Sequence, residues 1–227
     1  MKTIIIIGGS KGIGKAIIKQ LIDYCKIVNI SRTSPDIAHQ NLTHHDCDIL
    51  QDELPEIEAA DALVYCPGSI NLKPISRLSI DDFKNDFEIN VIGAVKAIQR
   101  YLQVIKNGEK PSILLFSTVA AKLGMPFHAS VATSKSGVEG LVKSLGAELA
   151  PTVRVNAIAP TVTDTDLASK LLRNEKMIEN ITERHPLKKF LAPKEVAEMA
   201  EFLISDKAAS LSGQIFEMDC GIVSFKI

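Results

Sequence analysis

The chain lacks a charge imbalance, a long apolar run and paired cysteines, and each lack removes a class of function. Lysine plus arginine number 26 against 27 aspartate plus glutamate, for a formal net charge of -1. A surface that grips nucleic acid needs a basic excess, so no nucleic-acid partner is expected, although a local basic pocket for one phosphate is allowed. No apolar stretch is long enough to span a bilayer, so no membrane association is expected. Met1-Lys2-Thr3 followed by Ile4 to Ile7 is too short for the apolar region of a signal peptide and runs straight into glycines. It reads as a buried strand. Cys25, Cys47, Cys66 and Cys220 are scattered without Cys-x-x-Cys spacing. That argues against a metal site or dithiol chemistry and for buried thiols in a reducing cytoplasm.

What remains is ordinary for a globular protein: 227 residues, 46% hydrophobic and 23% charged. No linker, repeat or low-complexity tract divides residues 1–227, so one domain is the simplest division. Strand-length apolar stretches are expected at Ile4–Gly8, Ile27–Ser31, Leu42–Asp48, Ala62–Cys66, Ser112–Ser117, Arg154–Ala159 and Gln214–Asp219. Helix-length amphipathic stretches alternate with them: Gly12–Cys25, one long helix within Ile80–Lys106, Ser130–Leu149 and Pro193–Ser205. Ser79 caps the long helix, with Asp81 and Asp82 in its first turn. Thr33 to Asn41 carries Pro35 and leaves room for a small helix at most, and Asp164 to Leu191 reads as an irregular helical excursion. Strict alternation implies an α/β fold: a doubly wound parallel sheet of about seven strands, the Rossmann arrangement, with helices on both faces. Ligands bind such sheets beyond the carboxyl ends of the strands.

The first strand empties into Gly8-Gly9-Ser10-Lys11-Gly12-Ile13-Gly14. Gly8 permits the tight turn, Gly12 lets backbone approach a diphosphate, and Gly14 lets the helix pack close to the strand. The first turn of that helix offers free N–H groups to the phosphates.

The Gly-x-x-x-Gly-x-Gly spacing resembles the short-chain dehydrogenase/reductase family, and the resemblance runs over almost the whole chain. Asp48-Ile49 stands where that family contacts adenine, and Cys66-Pro67-Gly68 replaces its Asn-Ala-Gly. Asn90 lies in Glu-Ile-Asn-Val, and Lys135 in Ala-Thr-Ser-Lys-Ser-Gly. Arg154 to Pro160, followed by Thr163 and Thr165, resembles the segment that holds the nicotinamide carboxamide. Gly213-Gln214 and Asp219-Cys220-Gly221 match the family's last strand.

The resemblance implies a nicotinamide coenzyme. NAD readers carry an acid at the end of the second strand, whereas this chain has Ser31 and Arg32 there, with Lys11 near the same phosphate. Two cations and no carboxylate favour NADP(H). The coenzyme-binding set is then Gly8, Ser10, Lys11, Gly12, Ile13, Gly14, Ser31, Arg32, Asp48, Ile49, Cys66, Pro67, Gly68, Lys135, Pro160, Thr163 and Thr165.

For catalysis the family uses Asn, Ser, Tyr and Lys. Asn90 and Lys135 match, and Thr118 keeps a hydroxyl at the serine position, with Ser117 before it. The tyrosine, four residues before the lysine, is Val131. Valine donates no proton, and general acid–base help is typically worth ~10²–10⁴ in rate. His128, seven residues before Lys135, is the candidate substitute. Gly124-Met125-Pro126-Phe127-His128 resembles the stretch in enoyl-acyl-carrier-protein reductases whose tyrosine stands at that spacing. Imidazole exchanges a proton near neutrality. Tyr65 and Cys66, at the end of the fourth strand, are further reactive side chains.

Thr161 to Leu191, with Leu167, Leu171, Leu172, Met177 and Ile178, would form a substrate-covering lid. The helices at 80–106 and 130–149 resemble those that pair subunits in this family, so a homodimer or homotetramer is expected. Two functions stay open: a reductase moving hydride between NADP(H) and a small carbonyl or enoyl substrate, and a non-catalytic NADP(H)-binding or sensing protein.

Overall fold

The computed structural model describes residues 1–225; Phe225 is thus the last residue described, and the final residues of the expected 1–227 domain lie outside it. Seven parallel strands form one sheet in the order β3-β2-β1-β4-β5-β6-β7: β1 Thr3–Ile7, β2 Lys26–Ser31, β3 Leu42–Asp46, β4 Ala62–Tyr65, β5 Ser112–Phe116, β6 Arg154–Pro160 and β7 Ile215–Met218. The helices are α1 Gly12–Leu21, α2 Ile80–Phe87, α3 Gly93–Lys106, α4 Ala129–Glu148, α5 Glu175–Arg184 and α6 Pro193–Ile204. This is the doubly wound arrangement expected from the alternation.

Why the apolar runs are strands is visible in β1. Ile5 and Ile7 point into one core, packed with Ala94, Ile98 and Tyr101 of α3 and Val138 and Val142 of α4. Ile4 and Ile6 point into the other, with Ile17, Ile18 and Leu21 of α1 and Val196, Ala200 and Leu203 of α6. A strand covered on both faces has no polar side, so its sequence is uniformly apolar.

Most element ends fall within one residue of expectation, and three elements differ by more. α1 stops at Leu21 rather than Cys25, because the Leu21 carbonyl takes the N–H groups of both Tyr24 and Cys25 and tightens the end into a turn. β3 ends at Asp46, since the Asp48 N–H turns to the Asp52 carboxylate instead of a strand partner. The expected single helix through 80–106 is broken by a π-helical turn, Glu88–Ile92, that joins α2 to α3. Such a turn leaves carbonyls without their usual i+4 donor. The Tyr65 hydroxyl supplies one, donating to the Ile89 carbonyl at 2.6 Å. The Ser79 cap forms as expected, with Asp82 completing a reciprocal capping box.

The strand order reverses between β1 and β4, and their carboxyl ends open onto the site described next.

Candidate functional site

Two cavities meet above the carboxyl ends of the central strands. The larger, ≈ 660 Å³, lies over the glycine turn and the ends of β2 and β4. The smaller, ≈ 170 Å³, lies over β5, the start of α4 and the 160–171 segment. Ile13, Cys66, Gly68, Thr165 and Leu167 face both.

The glycine turn is built as the spacing requires. Gly8 sits at φ +79 and Gly12 at φ +52, a backbone region that side chains disfavour. A Cβ on Gly14 would lie 2.4 Å from the Gly8 carbonyl oxygen, so α1 could not pack this close with any other residue. The first intrahelical bond runs from Lys15 N to Lys11 O, leaving the amides of the first turn without helical partners. Bare backbone, unpaired donors and the positive end of a helix fit a diphosphate.

Gly8, Ser10, Lys11, Ile13, Gly14, Ser31, Arg32, Asp48, Ile49, Cys66, Pro67, Gly68 and Thr165 all line the larger cavity. Gly12 lies just behind that wall, its Cβ position 3.2 Å from the Thr165 methyl. Pro160, Thr163 and Thr165 line the smaller cavity. Arg32 and Lys11 are solvent-facing, with distant carboxylates at 4.0 Å (Asp48) and 3.7 Å (Asp166). Neither ion pair is tight enough to bar an incoming anion.

The smaller cavity gathers Thr118, His128, Val131 and Lys135. Helix α4 begins at Ala129, with His128 in the capping position, so the stripe expected from the spacing forms. His128 Nδ1 lies 2.7 Å from the Pro126 carbonyl. A carbonyl only accepts, so Nδ1 carries the proton, and Nε2 becomes a donor only in the imidazolium. Thr118 Oγ1 accepts from the Ala120 N–H at 3.3 Å, which leaves its own proton free for a ligand. Ser117, by contrast, lines the same cavity with its proton committed to Glu139 at 2.7 Å. Val131 is a buried apolar wall.

Lys135 Nζ donates to the Phe116 carbonyl at 2.8 Å. Burial pushes its ammonium down to about 8, with the Cys66 thiol and Asp86 acting in the opposite direction. Asn90 lines neither cavity. It is buried behind Gly68, where a Cβ would meet Asn90 Oδ1 at 3.2 Å and Lys135 Nζ at 3.3 Å. Its Nδ2 donates to Ser69 and Ser134, and Oδ1 has no hydrogen-bond partner among the described residues.

Two reactive candidates drop out. Tyr65 points into the core, its hydroxyl committed to Ile89, and burial raises its pKa further. Burial pushes the Cys66 thiol up to about 12, which removes the thiolate a nucleophile needs. Sequence reasoning missed Asn29, His44, Asp86, Ser69 and Ser130. Each is a polar residue with at least one partner fifteen or more positions away in the chain. An asparagine between Val28 and Ile30 in β2 was the one local sign.

Residues 36–223 match the family described as enoyl-(acyl carrier protein) reductase. Among curated relatives, 2,5-dichloro-2,5-cyclohexadiene-1,4-diol dehydrogenase of Sphingobium indicum is 27% identical over 243 residues, covering 98% of this chain and 97% of that protein. The 3-oxoacyl-[acyl-carrier-protein] reductase of Aquifex aeolicus is 28% identical over 242 residues, covering 97% of each. The solved aldohexose dehydrogenase of Thermoplasma acidophilum superposes with a TM-score of 0.90 at 26% identity, over 99% of this chain and 95% of that one. With a glycine turn at the switch point of a seven-stranded parallel sheet and full-length dehydrogenase and reductase relatives, this chain belongs to the short-chain dehydrogenase/reductase family.

Proposed function

We propose that this protein is an NADP(H)-dependent oxidoreductase acting on a small carbonyl or enoyl compound, with a proton donor other than the family's tyrosine. The observation that carries the reading is the confluence of the two cavities. A cleft sized for a dinucleotide opens, through Cys66, Gly68 and Thr165, into a small apolar pocket lined by Lys135, whose Nζ lies beside the shared Gly68.

In this reading the Gly8–Gly14 amides hold the diphosphate, and Asp48 and Ile49 flank the adenine. Ser31, Arg32 and Lys11 receive the 2'-phosphate. Pro160, Thr163 and Thr165 frame the carboxamide end, and Lys135 faces the ribose hydroxyls. When bound, the coenzyme supplies or accepts hydride. Thr118 donates a hydrogen bond to the substrate oxygen, and His128 as imidazolium delivers the proton that Val131 cannot. Asn90, pinned inside the π turn, holds that backbone in shape. Residues 161–191 cover the small cavity, and α2, α3 and α4 carry a subunit contact. Phe87 and Ile92, exposed on that face, support pairing.

The test is NADPH oxidation across carbonyl and enoyl substrates, with His128→Ala alongside. Loss of roughly 100-fold in that variant supports the donor role, and unchanged turnover removes His128 from the chemistry. A second reading, an NADP(H)-binding protein without turnover, is favoured by Val131. It predicts tight NADPH binding and no steady-state rate on any substrate.

A further inference from the structure

We propose that Asn29, oriented by His44, is a positioning residue that ties the diphosphate cradle to the loop that selects the coenzyme's 2'-phosphate. The proposal rests on the nicotinamide reading of the larger cavity.

Asn29 is wholly buried in β2, between the apolar β1 and the polar edge strand β3, whose His44 stands opposite it. Stability alone would favour an aliphatic residue there, since a buried amide is tolerated only when each polar atom is paired. Here each atom is paired, and the partners fix the amide's direction. The Gly9 N–H can only donate, so the oxygen it meets at 2.9 Å must be Oδ1. Nδ2 then faces Ser31 Oγ at 2.9 Å and His44 Nδ1 at 2.8 Å. Both must accept. Ser31 therefore sends its own proton elsewhere, to the Thr33 carbonyl at 3.0 Å. His44 must lack a proton on Nδ1 and carry it on Nε2, which lies 2.9 Å from Asp46 Oδ1.

One buried side chain thus touches both halves of the cavity floor. Through Oδ1 it holds Gly9, between the Gly8 and Ser10 that line the cleft. Through Nδ2 it fixes Ser31, and through Ser31 the backbone at Thr33, so the loop carrying Arg32 has one shape. The fit is close: a Cβ on Gly9 would lie 2.4 Å from Asn29 Oδ1. His44, facing Asn29 across the parallel β2–β3 register, supplies a second acceptor for Nδ2 and so holds the amide in the direction that the Gly9 N–H requires, and Asp46 holds the imidazole tautomer.

The experiment measures NADPH and NADH dissociation constants for wild type, His44→Leu and His44→Gln, with thermal melting alongside. In His44→Leu, the NADPH dissociation constant is expected to rise roughly tenfold and that for NADH by about threefold or less, as one buried hydrogen bond is lost. His44→Gln, whose Oε1 can accept from Asn29, is expected to restore the NADPH-to-NADH preference. A purely structural role would lower melting without moving that preference. An unchanged preference in His44→Leu overturns the proposal. In the coenzyme-free wild type, ¹⁵N NMR is expected to place the His44 proton on Nε2. A proton on Nδ1 overturns the tether while leaving the nicotinamide reading intact. Wild type that binds neither coenzyme overturns that reading, and with it the coenzyme role of Asn29.

Discussion

The Ser130 hydroxyl donates to Oδ2 of Asp86 across 2.5 Å, and Ser69 donates to the other carboxylate oxygen across 2.6 Å. Asp86 therefore joins the loop after β4 to the first turn of α4. Replacing it with alanine removes an acceptor from the half-buried Ser69 hydroxyl and leaves the buried Ser130 hydroxyl only the longer bond to the Asp82 carbonyl, at 3.2 Å. Asp86→Ala is expected to lose about 2–4 kcal/mol, and Asp86→Asn, which keeps the shape, about 1 kcal/mol. Urea unfolding at neutral pH checks both, and an alanine variant as stable as wild type would refute the clamp.

Lys135 gives the fold a pH dependence of unusual sign. Burial lowers its pKa from 10.5 to about 8. Below pH 8 both folded and unfolded chains carry the proton, and the folded state bears the full cost of the buried charge. Between pH 8 and 10.5 the unfolded chain still binds a proton that the folded chain has shed, so stability rises with pH in that window. The gain is on the order of 3 kcal/mol at 1.36 kcal/mol per unit. Lys135→Met should be more stable than wild type at pH 7, and the difference should shrink toward pH 10. Denaturation midpoints of the two proteins across that range supply the measurement.

Arg32 is the test of coenzyme choice. Arg32→Asp places a carboxylate at the end of β2 and is expected to weaken NADPH binding tenfold or more, at roughly the strength of a charge-assisted hydrogen bond, while NADH binding holds or improves. Titration by protein or nicotinamide fluorescence distinguishes the two. Equal losses for both coenzymes would remove Arg32 from selection.

Val131→Tyr would place a phenol four residues before Lys135 on α4. Overpacking a buried position costs about 1–3 kcal/mol. In a His128→Ala background, where the proposed donor is gone, the added phenol is expected to raise carbonyl turnover by ~10² or more. Steady-state NADPH oxidation, compared with a Val131→Phe control of similar bulk, reads the effect. An equal rate in both variants would show that the hydroxyl does not matter.

Tyr65 should prove structural. Tyr65→Phe leaves the Ile89 carbonyl in the π turn without its donor and is expected to cost about 1 kcal/mol with no change in turnover. A large loss of rate with intact stability would reverse that assignment.

The sheet was legible because parallel strands covered on both faces read as apolar runs, as Ile4–Ile7 and Ile113–Phe116 do. The glycine turn was legible because its demands are local: a positive φ at Gly8 and no Cβ at Gly14. The π turn was not, since one extra residue in Glu88–Ile92 barely disturbs an amphipathic pattern, and its compensating donor, Tyr65, lies on another strand. Asp86 and Asn29 escaped for the same reason. A buried polar residue is explained by its partners, and Ser130 and His44 are brought to them only by the folded topology. His128 stood out by spacing alone, and the Pro126 carbonyl that fixes its tautomer was invisible until the backbone was seen.

The shared wall between the two cavities constrains how this protein can change. Leu167, Thr165 and Ile13 border both compartments, so no substitution there can reshape one occupant's surroundings without disturbing the other's. Variation toward a new substrate has more room where the smaller chamber has walls of its own, Ile70, Met125 and Leu171 among them. Chains descended from a common ancestor could diverge freely in what they process there while the floor over the glycine turn stays fixed.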